Sequence, residues 1–288
     1  METITEAEMV QYKVVAGTFH VKGYKPDGDS IRFKARNPLH WDSFKWKDAK
    51  RKKSAHKQLR IEAIDALETH YEGYQQPRPF ALAALESLLE LLGITEVKYS
   101  LSVTQIVDAG DGTPGFIASA ELDGNDRPIS YVFPATASLT DGAMLPPDQL
   151  PIDDSINFIL ARMGLVYPTF YTTTDRAIAE KLRAVVGRAR ATKRGIWAID
   201  RTNDFTIWDT RTIQEDIVIM PKMFRRLVSF FEGHGDFDGL EKYMRAQRDN
   251  LKMWDGTKHR SLADLMTFEG RRLKLNARIE DILFNPKA

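Results

Sequence analysis

Short alternating stretches of apolar and polar residues dominate the first two thirds of the chain and then give way to helical spacing. Residues 11–36 read as two strands around a turn, with Tyr12, Val14, Phe19 and Val21 as strand formers and Pro26-Asp27-Gly28-Asp29 as turn chemistry. Ile31, Phe33 and Ala35 alternate with Arg32, Lys34 and Arg36, which predicts one buried and one basic face. The alternation lapses between 37 and 58 and resumes from Leu59 to Ile64. Pro77-Arg78-Pro79 then opens a helix from Phe80 to Leu92, whose stripe Leu82, Leu85, Leu88, Leu89 and Leu92 faces a core and which stops at Gly93. Residues 97–133 return to strand patterning, broken at 110–115 and 123–126. A proline-rich loop at 146–151 precedes helices at about 155–163 and 175–193, the second ending at Gly195-Ile196-Trp197.

Beyond Trp197 the character changes. Thr202-Asn203-Asp204 is linker-like, Met223–Phe231 and Leu240–Met253 read as helices, and Leu273-Lys274-Leu275 alternates. The pattern therefore divides the chain near 200, into a domain over 11–200 and a mostly helical region of unassigned role over 201–288. That region is either a separate unit or a C-terminal extension of the first domain, and it offers a surface for a protein partner or self-association.

Composition narrows the chemistry. A chain of 288 residues with 43% apolar content can build a sizeable core. Its 41 basic and 40 acidic residues leave a net charge of +1, so any nucleic-acid footprint has to be local rather than global. The absence of cysteine removes disulfides, thiolate metal sites and thiol nucleophiles. The acidic start Met1-Glu2-Thr3-Ile4-Thr5-Glu6 lacks the layout of a secretory signal, and no apolar run is long enough to span a membrane. A soluble, cytoplasmic protein is expected.

Two motifs about thirty residues apart carry the candidate chemistry: Asp27-Gly28-Asp29-Ser30-Ile31-Arg32 and Arg60-Ile61-Glu62-Ala63-Ile64-Asp65-Ala66-Leu67-Glu68. Singly they are a turn and a strand end. Together they offer hard oxygen ligands suited to a divalent cation and an arginine suited to a phosphate. Arg60 and Asp65 have opposite parity on a regular strand, so one site for both requires a bulge or a strand end between them.

In order along the chain these motifs, with Asp126-Arg127-Pro128-Ile129-Ser130-Tyr131-Val132, Ile159-Leu160-Ala161-Arg162-Met163-Gly164-Leu165-Val166 and Ala189-Arg190-Ala191-Thr192-Lys193-Arg194-Gly195-Ile196-Trp197, resemble the staphylococcal-nuclease (thermonuclease-like) family over about 11–200. The resemblance implies an α+β fold: a five-stranded OB-type β-barrel with flanking helices. It also implies a calcium-dependent nuclease, a hydrolase acting on the phosphodiester bonds of DNA or RNA, with Mg2+ or Mn2+ as alternative cations. By motif, Asp29 and Asp65 would be calcium ligands with the Ala66 carbonyl as a third, Glu68 the general base, and Arg60 and Arg127 the phosphate clamps. Three departures stand out. Leu67 replaces the family's proline, Ser30 replaces its threonine, and another register would put Gly112-Thr113-Pro114-Gly115, without an arginine, where Arg127 stands.

Substrate contacts are expected from two further places. Lys45, Lys47, Lys50 and Arg51 interleave with Trp41, Phe44 and Trp46, a mixture suited to phosphate contact and base stacking. Phe170 and Tyr171 fall where the family places aromatic contacts to the nucleotide. The competing expectation is a nucleic-acid-binding module on the same fold that performs no catalysis.

Overall fold

The computed structural model describes residues 10–44, 56–101, 105–234 and 237–286. Its N-terminal half is organised by β1 (Tyr12–His20), β2 (Arg32–Ala35), β3 (His56–Gln58), β4 (Arg60–Ile61) and β5 (Ile64–Asp65). Helix α1 (Arg78–Leu91) follows, then a hairpin of β6 (Thr95–Tyr99) and β7 (Ile106–Gly110), the long antiparallel pair β8 (Thr113–Leu122) and β9 (Pro128–Pro134), and the short β10 (Met144–Leu145). Helix α2 (Ile156–Met163) and the strands β11 (Tyr167–Pro168) and β12 (Phe170–Tyr171) lead into α3 (Arg176–Ala191).

The main sheet runs β3-β2-β1-β8-β9-β4, with β10 attached to β1. One of its faces holds Phe19, Phe33, Ile117 and Val132, all fully buried. Burying each large side chain is worth about 1.5–3 kcal/mol, so the alternation read from the sequence is the force that sets the register. Side-chain caps then fix the helices against this sheet. Ser155 accepts from the Phe158 amide at the start of α2, and Asp175 accepts from Ile178 at the start of α3. Gly164 ends α2 at φ 72, the left-handed cap position glycine occupies without a Cβ penalty.

The expected five-stranded OB-type barrel of the staphylococcal-nuclease family is not what forms. The sheet is an open, six-stranded half-barrel with a 7 Å gap between its edge strands. The break lies at Leu59. His56–Gln58 pairs antiparallel with β2 at one edge, and Arg60–Ile61 pairs parallel with β9 at the other. Ile64–Asp65 leaves the sheet altogether and pairs with β11. The stretch from Leu59 to Ile64 that reads as a single strand in sequence is thus split between two neighbours, and β3, in the stretch where the alternation lapses, serves a third. The family resemblance and the OB-fold assignment are corrected on this ground.

The C-terminal part is also not mostly helical. It holds α4 (Pro221–Gly233) and α5 (Leu240–Ala246), together with β13 (Asp204–Thr206), β14 (Leu251–Met253), β15 (Lys258–His259), β16 (Met266–Glu269), β17 (Arg272–Leu275) and β18 (Ile282–Phe284). Expected helix from Leu240 to Met253 stops at Ala246, and its end becomes β14. Strand β18 pairs in parallel with β12, inside a sheet ordered β12-β18-β14-β15.

The basic helix α3 gives two of its arginines to this C-terminal part. Arg183 Nε donates to Asp281 at 2.7 Å, and Arg190 donates to the buried Glu280 at 2.9 Å. Trp254 lies between the guanidinium groups of Arg176 and Arg183, at 4.6 and 5.1 Å. Among the described residues no helix is long and apolar enough to cross a membrane.

Candidate functional site

The chain turns sharply between β4 and β5, and this corner creates two separate sites. Ala63 sits there at φ 65, a left-handed conformation costly for a residue with a Cβ. Three hydrogen bonds hold the corner: Glu62 N–H to the Ser130 carbonyl (2.9 Å), Thr169 N–H to the Ala63 carbonyl (2.9 Å), and the Asn157 amide to the Glu62 carbonyl (2.8 Å). Arg60 and Glu62, two residues apart, line one side. Asp65, beyond the corner, belongs to the other.

On the first side is a cavity of about 460 Å3, within the size range of small-molecule sites. The Arg60 guanidinium lies 4.7 Å from the Tyr171 ring centre and donates to the Tyr171 hydroxyl at 2.5 Å. Lys222, from the first turn of α4, approaches the same ring at 5.9 Å and the Phe284 ring at 4.0 Å. Burial, then the neighbouring Arg226, lowers the Lys222 ammonium to a pKa of about 8. Among the described residues neither Arg60 nor Lys222 has a carboxylate within ion-pair distance. Arg127 also lines the cavity but is held by Asp123, through Nε at 2.8 Å and Nη2 at 2.7 Å. Glu62 and Glu121 also line the cavity, as do Asp123 and Asp249. Burial, and then the Glu121 charge, push Glu62 up to about 8.

On the second side Asp29, Asp65 and Glu68 form an acidic notch, and α4 closes it. Arg225 places its guanidinium against Asp65 in a two-pronged pair, with contacts of 3.0 and 3.2 Å, and also hydrogen-bonds Glu68. The buried Gln76 supports this arrangement. Its side-chain oxygen accepts from Glu68 N–H at 3.2 Å, while its amide donates to the Ile219 carbonyl just before α4 at 2.7 Å. The Asp29 carboxyl has no hydrogen-bond or ion-pair partner among the described residues. Burial, then the Asp65 charge, raises its carboxyl well above the ordinary range. Burial also lifts Glu68 to about 7 against the opposing pull of Arg225. Burial works against the Arg225 charge, but Asp65 and Glu68 outweigh it and hold its pKa above the usual value.

Gly28 lets the turn sit this close. A Cβ there would stand 2.6 Å from the Ala84 side chain and 2.9 Å from that of Ala66. The turn carrying Asp29 is thereby wedged between α1 and the segment after β5, and the Asp29 carbonyl accepts from Ile61 N–H at 3.0 Å.

The sequence-predicted residues therefore separate into groups. Asp29, Asp65 and Glu68 lie near one another, and a guanidinium from the C-terminal part pairs with the latter two. Among the described residues no group of three or more His, Cys, Asp or Glu side chains is arranged to hold a metal ion. The expected nuclease, hydrolase and calcium-binding assignments lose the fold and the ligand cluster on which they stood. Ala66 is buried at 2% exposure beneath the turn. Arg60, Arg127 and Tyr171 meet at the cavity, apart from the carboxylates.

Phe170 is fully buried against Trp254, so it packs a core and does not face the cavity. Trp41 and Phe44 likewise pack beneath Phe33 and are not stacking platforms. Lys45, Lys47, Lys50 and Arg51, with Trp46, lie outside the described residues.

Lys222, Arg225, Glu62 and Thr169 were not singled out from sequence. Lys222 and Arg225 sit three apart on α4, one helical turn, and that spacing was legible inside Pro221-Lys222-Met223-Phe224-Arg225. Glu62 was legible through its parity with Arg60. A scan against known protein-family models finds no match for this chain, and no curated protein matches it either.

Proposed function

We propose that the chain is a nucleic-acid-binding protein without catalytic activity, gripping phosphate in the cavity bounded by β4, β12 and α4. The observation that carries this reading is the convergence of Arg60 and Lys222 on one aromatic ring, neither of them ion-paired to a carboxylate among the described residues. Two cations held together in a half-buried site repel each other, and an entering phosphate relieves that repulsion while accepting charge-assisted hydrogen bonds. Tyr171 adds a flat surface for a base. The carboxylates a hydrolytic reading would use are committed elsewhere: Asp65 and Glu68 both bind Arg225.

Fluorescence anisotropy with single-stranded DNA and RNA tests the proposal. Replacing Arg60 and Lys222 together by Gln removes two phosphate contacts. It should weaken binding and flatten the plot of log affinity against log salt by about 1.4 units. Binding indifferent to both replacements would remove the cavity from recognition. The same oligonucleotides, incubated with calcium, magnesium or chelator, should remain intact. Cleavage that Glu68→Gln abolishes would make the protein an enzyme instead.

A further inference from the structure

A simple phosphate clamp needs only cations, yet this cavity has an acidic end as well. Glu62 and Glu121 both line it, and among the described residues neither has a Lys or Arg within ion-pair distance. Thr174 hydrogen-bonds Glu62. Nearby, the hydroxyl of Thr169, a residue 5% exposed that also lines the cavity, is buried without any hydrogen-bond partner. An unmet buried hydroxyl costs about 1–3 kcal/mol, so it points to a polar group that arrives with a ligand. Burial and the neighbouring carboxyl disfavour the charge on Glu62, which leaves it largely protonated at neutral pH.

Size and walls restrict what enters. The volume of about 460 Å3 suits one small molecule, and Asn285, Pro286 and Lys222 bound it on the C-terminal side. One nucleotide unit fits a cavity of this volume. We propose that the cavity seats one nucleotide, its phosphate between Arg60 and Lys222 and an amino-bearing base edge on the Glu62–Glu121 pair. This rests on the phosphate-binding reading above and names its substrate. Guanine suits the acidic end best, since its ring N–H and exocyclic amino group present adjacent donors to a carboxylate. Uracil suits it worst, because carbonyls flank its single N–H and would face the carboxylate.

Isothermal titration of the full chain at pH 7 with GMP, UMP, inorganic phosphate and a single-stranded oligonucleotide separates the two proposals. GMP should bind roughly tenfold or more tightly than UMP or phosphate, the worth of one good hydrogen bond to a charged group. Glu121→Gln should bring GMP to the level of UMP. Glu62→Gln, which preserves the shape of a protonated carboxyl, provides a second variant expected to fold. Equal affinity for GMP, UMP and phosphate, with oligonucleotide binding that depends on Arg60, would overturn the nucleotide assignment and leave the phosphate reading standing. A GMP preference that persists in both Gln variants would overturn the base-edge assignment. Binding of none of the four ligands would overturn both proposals.

Discussion

The cavity and the notch lie on either side of one corner in the chain, and they balance charge in opposite ways. In the notch, Asp65 and Glu68 receive a guanidinium supplied by the protein's own α4, beside an Asp29 carboxyl that burial holds toward its neutral form. In the cavity, Arg127 is paired with Asp123, but Arg60, Lys222, Glu62 and Glu121 have no ion-pair partner among the described residues, and Glu62 avoids its charge by keeping a proton. A single helix serves both: Lys222 faces the cavity and Arg225, one turn later, fills the notch. A site completed from within is structural glue. One left with unmet groups is ready for something from outside.

Four outcomes would break or sharpen that contrast. The largest effect should come from Arg225→Ala, which leaves Asp65 and Glu68 buried and without their cation at a cost of about 3–5 kcal/mol. Urea denaturation at pH 7 measures it, and adding Asp65→Asn should recover part of the loss. A cost below about 1 kcal/mol would mean the guanidinium does not hold the notch closed.

Phe170→Ala should cost a similar 3–5 kcal/mol of stability. Tyr171→Ala should cost far less but weaken oligonucleotide binding. Measuring stability and binding on both variants decides whether these adjacent residues divide between core and cavity as described.

Glu62→Gln should act with the opposite sign. Its folded pKa of about 8 exceeds the ordinary 4.5, so the stability it contributes is full below about pH 4.5 and is lost as pH rises through 8. At pH 9 the wild type carries a buried charge, and the variant should be more stable by on the order of a few kcal/mol. At pH 4 the two should match. Thermal melts at both pH values provide the comparison, and equal stabilities at pH 9 would show that Glu62 ionises freely. The smallest effect belongs to Lys222→Gln. Stability at pH 7 should shift by less than about 1 kcal/mol. The wild type should lose phosphate affinity as pH rises through about 8, and the variant should not.

Local pattern made much of this legible. The strands around the Asp27–Asp29 turn and the helices near 80, 156 and 176 follow from periodicity and turn chemistry. Leu59 and Ala63 defeated the reading, since neither residue type marks a strand break. A run with uniform strand propensity is divided there by which neighbour each piece pairs with, and pairing is a tertiary choice. Arg225 was hidden for a different reason. It lies 160 positions from Asp65 on a helix whose apolar stripe explained it fully as a packing element. The family resemblance rested on short motifs in order, and order along a chain does not determine whether a sheet closes.

The parallel pairing of β18 with β12 also sets a schedule. Thr172 and Asn285, which hydrogen-bond beside it, are 113 positions apart. At ordinary synthesis rates that separation takes roughly 5–25 s. During this interval the newborn chain carries Arg60 and Tyr171 without the wall that Asn285 and Pro286 later supply. The cavity is therefore assembled late, and an open cationic shelf precedes the enclosed pocket.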